Sequence, residues 1–250
     1  KKEATKNYIK IACYAHELSK KTNRHLHLDI EPEPDGLIEN SKEMIHFFNE
    51  YLAKYGIPMI QSELKVSIQQ ANDILYNHLQ CCFDICHFSV EFEPITATIK
   101  KIINANIKIG KVQISAALSS GTITNKDQLN SIIKHLQPFN EPTYLHQSVI
   151  KTNKQIIKYK DLDQALKKIK KHNVKEIRTH FHVPIFTKHY KQLKSTQNDI
   201  IEALQYCIKN KVTHHYEVET YTWNILPSDL QMDIISNIIR ELNWVREIVK

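Results

Sequence analysis

The chain has 250 residues, and its 34 Lys and Arg exceed its 27 Asp and Glu to give a formal net charge of +7. This length supports a full hydrophobic core, and a composition of 42% hydrophobic and 24% charged residues excludes a collagen-like or disordered chain. Only 4 residues are glycine, which argues against a glycine-rich phosphate loop. No apolar run is long enough for a membrane helix, and the five unpatterned cysteines favour the reducing cytoplasm.

Hydrophobic periodicity predicts helices that alternate with short strands. Helices are expected at 4–20, 41–55, 66–78, 94–105, 126–136, 161–172, 196–210 and 228–241. Strands are expected at 26–31, 59–62, 81–86, 107–115, 143–149, 155–159, 177–184 and 213–220. Strands separated by helices predict an α/β fold with a mainly parallel sheet, into which a hairpin near 143–159 is inserted. Because no linker or repeat divides the chain, we expect a single domain over 1–250.

The sequence also contains helix-start signals and one lysine-rich stretch. Ser41, Asp161, and Ser228 together with Gln231 are expected to begin helices. Nine lysines lie between Lys151 and Lys175, and a single aromatic residue stands among them. Because binding of single-stranded nucleic acid usually needs aromatic residues between the charges, we interpret this stretch as the solvated face of a helix and expect no nucleic-acid partner.

The polar residues that share one face of each expected strand are mostly Asp, Glu and His, although lysine is the commonest charged residue of the chain. A solvent-exposed face would also sample lysine, whereas a metal-binding interior selects carboxylates and imidazoles. In a (β/α)8 barrel, functional groups gather at the carboxyl ends of several strands. The residues at or near such ends are Glu31, Asp84, His87, Gln113, His182 and Glu219. They are the predicted metal-site residues.

Other polar and sulfur-containing residues on these strands have simpler interpretations. Four histidines are expected to be hydrogen-bonded structural residues: His27, His146, His180 and His215. Cys82 and Cys86 are expected to be small buried hydrophobic residues.

Eight segments together resemble the Ebo-type metabolite traffic protein family, EboE, of the xylose isomerase-like TIM barrels. They are HLDIEPEPDGLIEN (27–40), FDICHFSVEFE (83–93), GKVQISAAL (110–118), PTYLHQSVI (142–150), RTHFHVPIF (178–186), STQND (195–199), HHYEVETYTWNILP (214–227) and RELNWVREI (240–248). The resemblance covers nearly the whole chain from about residue 24. Sugar isomerases, sugar epimerases and endonuclease IV belong to the same superfamily.

This resemblance implies a divalent metal held by Glu, Asp, His and Glu from successive strands. Glu31 corresponds to the first glutamate, Asp84 and His87 to an Asp-x-x-His pair, and Glu219 to the last glutamate. His182 is similar to a further imidazole of the polynuclear members, and Gln113 stands where sugar epimerases have histidine.

The implied function is that of a metal-dependent isomerase- or epimerase-like protein for a sugar or sugar phosphate, associated with the handling or trafficking of a metabolite precursor. The metal would be Mn²⁺, Co²⁺, Zn²⁺ or Mg²⁺, and Glu31 or Glu219 would be the base. Two alternatives remain open. One is a non-enzymatic carrier that binds the metabolite, and the other is a metal phosphoesterase like endonuclease IV, for which the charge of +7 is suggestive.

The Glu-Pro strand is about the fourth of eight in this family, yet only some two dozen residues precede it here. We therefore expect an incomplete TIM barrel that lacks its N-terminal strands. An N-terminal half or another copy of the chain, in a homo-oligomer, would close it.

Overall fold

The computed structural model describes residues 1–226, 228, 231 and 233–250 and is a mixed α/β fold, about half helix. Its α-helices are α1 (Lys2–Thr22), α2 (Ser41–Phe47), α3 (Ile57–Leu64), α4 (Ile68–His78), α5 (Ile85–Val90), α6 (Ile95–Asn104), α7 (Lys126–Leu136), α8 (Leu162–Lys168), α9 (Gln197–Lys209) and α10 (Ile234–Ile248). Its strands are β1 (Leu28–Ile30), β2 (Leu79–Asp84), β3 (Ile109–Ile114), β4 (Leu118–Ser119), β5 (Ser148–Thr152), β6 (Ile156–Tyr159), β7 (Val174–Thr179), β8 (His189–Tyr190), β9 (Leu193–Ser195) and β10 (Tyr216–Val218). A π-helical segment, Phe48–Gly56, joins α2 to α3.

The chain divides into two compact units, each built from three segments. The first comprises Lys1–Phe83, Thr96–Val112 and Lys211–Tyr216, and the second comprises Asp84–Ile95, Gln113–Asn210 and Glu217–Lys250. A four-stranded sheet has the order β1-β2-β3-β10, and its strands β2, β3 and β10 each end on residues of the second unit.

The first unit buries the apolar faces of α1, α3, α4 and the π-helical segment against one another. Gly56 permits the close approach of α1, because a Cβ atom at this position would lie 2.4 Å from Cδ1 of Ile9. A capping box, in which Ser67 and Gln70 satisfy each other's backbone amides, begins α4. Strands β1 and β2 pair in parallel, with Leu28 opposite Leu79.

The second unit contains a six-stranded sheet of order β6-β5-β7-β4-β9-β8, in which every neighbouring pair is antiparallel. Helix α9 contacts α5 and α10 in this unit. A buried cluster of Cys86, Val90, Ala117 and Val149 lies in its core. The short helix α5 is thereby anchored by its apolar side chains.

Most of the predicted elements are present, and the hairpin near 143–159 is confirmed as the antiparallel pair β5–β6. Asp161 caps α8 as predicted, whereas the cap before Ser41 is Asn40. The prediction of a strand at 59–62 is wrong, because these residues lie in α3. Helix α5 and the short strands β4, β8 and β9 were not predicted.

The prediction of a mainly parallel sheet does not hold for the six-stranded sheet, and the described residues form no closed barrel. The helix predicted at 228–241 falls partly outside the described residues. Within the described part α10 begins at Ile234, after the cap Asp233. None of the described helices combines the length and the apolar character needed to cross a membrane.

Candidate metal centre

Asp84 is the last residue of β2 and the N-cap of α5, and its side chain is fully buried. Its Oδ1 atom accepts hydrogen bonds from the backbone N–H of His87, at 3.0 Å, and from the hydroxyl of Ser115, at 2.8 Å. Its Oδ2 atom is buried and receives no hydrogen bond from any described donor. One oxygen is therefore fixed by the fold, and the other is available to a cation.

Three buried imidazoles meet beside this carboxylate. His87 lies in the first turn of α5, and His180 and His182 follow the carboxyl end of β7. Nε2 of His180 lies 3.1 Å from Nε2 of His87 and 3.1 Å from Nε2 of His182. Residues two apart in an extended segment point to the same side, which brings His180 and His182 together.

Hydrogen bonds at the Nδ1 atoms of His180 and His182 determine which ring nitrogens carry hydrogen. His182 Nδ1 lies 2.8 Å from the backbone carbonyl oxygen of Glu219, which can only accept, so this Nδ1 donates. His180 Nδ1 lies 2.9 Å from the amide oxygen of Gln147, and we assign it as a donor as well. In neutral rings with these tautomers, both Nε2 atoms carry lone pairs. If His87 donates to His180, it occupies the single lone pair of His180 Nε2, so a metal ion bound to His180 requires the His87 tautomer without hydrogen on Nε2.

The electrostatic environment keeps these rings neutral. Burial lowers the pKa of His182 to about 4, although the Asp84 carboxylate acts in the opposite direction. Burial, followed by the neighbouring imidazoles, holds the pKa of His180 well below its usual value. A proton shared between the two rings is therefore unfavourable near neutral pH. The facing lone pairs instead favour a metal ion between them.

Burial on its own would raise the pKa of Asp84, but His87 and His182, aided by the neighbouring Glu219 and Ser115 side chains, lower it below its usual value. Asp84 is therefore a carboxylate at neutral pH. The side chain of Glu219 is 31% exposed, and its Oε2 atom lies 3.8 Å from His182 Nδ1. Burial raises the pKa of the Cys86 thiol well above its usual value, so the thiol is protonated unless a metal binds it.

The spacing of these groups fits a divalent ion. Ligand atoms of Asp84, His87 and His182 all lie within 4.8 Å of one another, as do those of Cys86, His180 and His182. Adjacent atoms that bind one ion at about 2.0–2.2 Å are separated by about 2.8–3.1 Å in octahedral geometry and about 3.3–3.6 Å in tetrahedral geometry, so by about 2.8–3.6 Å in all. The two Nε2 separations of 3.1 Å fall in this range.

The predicted site residues divide between the two units. The second unit brings Asp84, His87, His182 and Glu219 together. Gln113 is buried in β3 of the same unit. Glu31 is exposed and follows β1 in the first unit, and its role stays a prediction.

Two further candidate ligands were given other roles from the sequence. His180 was expected to be a structural residue, yet its Nε2 atom lies between those of two predicted ligands. The pattern His-x-His at 180–182 is the signal that could have identified it, because it puts both rings on one face. Cys86 was interpreted as a small hydrophobic residue, and nothing in the sequence separates this from a ligand role.

Comparisons of the chain with protein-family models, with curated proteins and with solved structures find no match. The resemblance to the EboE family accordingly stays a prediction. The spacing and burial of Asp84, His87, His180 and His182 support a metal centre independently of any relative.

Proposed function

We propose that the protein is a metal-dependent isomerase- or epimerase-like protein of the xylose isomerase-like class, which acts on a sugar or sugar phosphate during the handling of a metabolite precursor. The observation that carries the metal dependence is the pair of facing Nε2 lone pairs of His180 and His182, beside the unsatisfied Oδ2 of Asp84. The resemblance of the eight segments supports the substrate class and the EboE assignment.

The residues that would hold the ion are Asp84, His87 and His182, with His180 and Cys86 on the same side. A donor set dominated by imidazole favours Zn²⁺ or Co²⁺ over Mn²⁺, and Mg²⁺ least. When bound, a divalent ion would supply positive charge that polarises the carbonyl and hydroxyl oxygens of a sugar.

The chain itself would supply the proton acceptor. The side chain of Glu219 is partly exposed, whereas that of Asp84 is fully buried, so Glu219 is the more accessible of these two carboxylates. Glu219 would take a proton from the carbon next to the substrate carbonyl and return it to the neighbouring position. Glu31 is the other predicted base.

The order of the four-stranded sheet supports the proposed TIM-barrel class. Its strands are neighbours in the order in which the chain presents them, β1-β2-β3-β10, and β1 and β2 are parallel. Successive strands of a (β/α)8 barrel have this arrangement. We propose that this sheet is part of an incomplete barrel.

The test is proton exchange in D2O. The untagged protein is loaded separately with Zn²⁺, Co²⁺, Mn²⁺ and Mg²⁺ and incubated with a panel of sugar phosphates, and mass spectrometry measures deuterium uptake at carbon. We expect uptake into at least one substrate, its loss in Glu219→Gln, and its retention in Glu217→Gln, which changes the same residue type two positions away. If the protein binds a sugar phosphate tightly but catalyses no deuterium uptake, the non-enzymatic carrier becomes the better description of its function.

A second candidate function is a metal phosphoesterase like endonuclease IV. The observation that favours it is the third buried imidazole, His180, because an additional nitrogen ligand suits a site with more than one ion. Hydrolysis of bis(p-nitrophenyl) phosphate by the metal-loaded protein, without exchange on the sugar panel, would favour this function. Binding of abasic DNA that weakens steeply with added salt would further support the phosphoesterase function.

A further inference from the structure

The second unit contains a recess of about 630 Å³ between the start of α7 and the segment that leads into β7. The residues that line it include three lysines: Lys126, Lys170 and Lys175. Val174, which also lines it, is the first residue of β7, whereas His180 follows the last. Six residues of extended chain span about 20 Å, so the recess is separate from the candidate metal centre.

The charges in this recess all have one sign. No carboxylate is among its lining residues, and none of its three lysines forms an ion pair with a described residue. Other lysines of the same stretch do find partners, since Lys167 contacts Asp163 and Lys158 contacts Glu91, at 2.5 Å each. Ammonium groups gathered in a recess raise its positive potential, and an anion relieves their mutual repulsion.

The remaining lining residues suit an organic anion. The side-chain amides of Asn130 and Asn173 can donate hydrogen bonds, and Ile123, Leu129 and Val174 present apolar surface. A volume of about 630 Å³ is within the usual range for small-molecule sites.

We propose that this recess binds a small phosphorylated metabolite, with its phosphate against Lys126, Lys170 and Lys175 and its carbon skeleton against the apolar residues. This site is independent of the proposed metal chemistry. It also gives Lys170 and Lys175 a ligand, in place of the solvated helix face expected from the sequence. No Phe, Tyr or Trp side chain lines the recess, and its one imidazole, His172, is held by the Tyr159 hydroxyl at 2.7 Å, so the recess offers little surface on which nucleic-acid bases could stack.

The test uses inorganic pyrophosphate as the probe, titrated calorimetrically into the full chain at low salt. Prior treatment with a chelator and its removal by dialysis leave no metal through which pyrophosphate could bind. The variant Lys126→Gln/Lys170→Gln/Lys175→Gln is compared with Lys134→Gln/Lys154→Gln/Lys209→Gln. The second variant removes the same charge from exposed lysines outside the recess.

We expect wild-type binding to weaken at least about tenfold in the recess variant and less than about twofold in the control variant. In wild-type protein, pyrophosphate should protect Lys126, Lys170 and Lys175 from acetylation by acetic anhydride, measured by peptide mass spectrometry, while Lys134 stays reactive. This second measurement does not depend on the folding of any variant.

Three results would overturn the proposal. The first is wild-type protein that gives no binding heat and no protection. The second is an equal weakening of binding in both variants, which would mean a diffuse effect of net charge. A 20-nucleotide single strand that protects the same lysines and binds more tightly than pyrophosphate would assign the recess to nucleic acid.

Discussion

The hydroxyl of Ser115 donates to Oδ1 of Asp84 over 2.8 Å and accepts the backbone N–H of Cys86 over 3.0 Å. A single side chain thus connects the residue that follows β3 to the carboxylate at the end of β2 and to the first turn of α5. The second carboxylate oxygen, Oδ2, is buried and receives no hydrogen bond from a described donor. The orientation of the proposed ligand depends on this contact.

Replacement of Ser115 by alanine should weaken metal binding without removing a ligand. Loss of a group that orients a ligand typically lowers metal affinity 10–100-fold, and we expect an effect of about that size for Ser115→Ala. Competition titration with a chromogenic chelator measures it. Ser119→Ala is the control, since Ser119 donates to Glu176 instead of Asp84. Equal affinity in wild type and Ser115→Ala would show that Asp84 is not a ligand held by this contact.

Asp84→Asn should keep the shape of the side chain and remove its charge. Because a neutral amide is a poor ligand for a divalent ion, the rise in melting temperature that added Zn²⁺ or Co²⁺ causes in wild type should disappear. The metal-free variant should still melt cooperatively. Asp163→Asn, which changes an exposed carboxylate paired with Lys167, should keep the full metal-induced shift. A variant of Asp84 that kept this shift would exclude Asp84 from the site.

The neutral ring of His182 predicts acid sensitivity in the metal-free protein. Its folded-state pKa is about 4 against an ordinary 6.5, so folding favours the unprotonated ring. This contribution is present above pH 6.5 and is lost as the pH falls towards 4, by at most about 3 kcal/mol. Urea unfolding across this range should give a shallower decline for His182→Gln than for wild type. The exposed His189→Gln should behave like wild type.

The buried Glu241 of α10 should make the stability of the fold depend on pH in the opposite direction. Its buried carboxyl accepts hydrogen bonds from the Ile185 amide and the Thr220 hydroxyl, and burial raises its pKa to about 7 from 4.5. The folded state therefore prefers the protonated acid, and stability declines as the pH rises from 4.5 through 7. Glu241→Gln keeps a carbonyl acceptor and should raise the free energy of unfolding at pH 8 by about 1–3 kcal/mol.

At pH 4.5 the stability difference between Glu241→Gln and wild type should nearly vanish. Glu247→Gln, at an exposed position of the same helix, should change stability little at either pH. Destabilisation by Glu241→Gln at pH 8 would show that the ionised carboxylate, rather than the acid, supports the fold.

Alternation along a strand and the end of that strand are both visible in the sequence, and they were enough to select Asp84, His87 and His182, which the fold brings close together. Their role as metal ligands stays a prediction. The strand expected at 59–62 was wrong because Met59 and Ile60 continue an apolar run that is equally compatible with a strand and a buried helix, and Pro58 is tolerated in the first turn of α3.

The antiparallel sheet of the second unit could not be predicted in the same way. Its central pairs join β4 to β7 and β5 to β7, and such pairing depends on contacts between residues far apart in the chain. The position of His180 depends on the same long-range folding, because two of its ring contacts are to the distant His87 and to Gln147 of another segment.

The most direct test of the metal centre is elemental analysis of untagged protein purified without chelator, beside the double variant His180→Gln/His182→Gln. We expect at least about one divalent ion per wild-type chain, with Zn²⁺ or Co²⁺ preferred on reloading, and a near-complete loss in the variant. Wild-type protein that contained no stoichiometric metal, and whose melting temperature did not respond to Zn²⁺, Co²⁺, Mn²⁺ or Mg²⁺, would contradict the proposed centre.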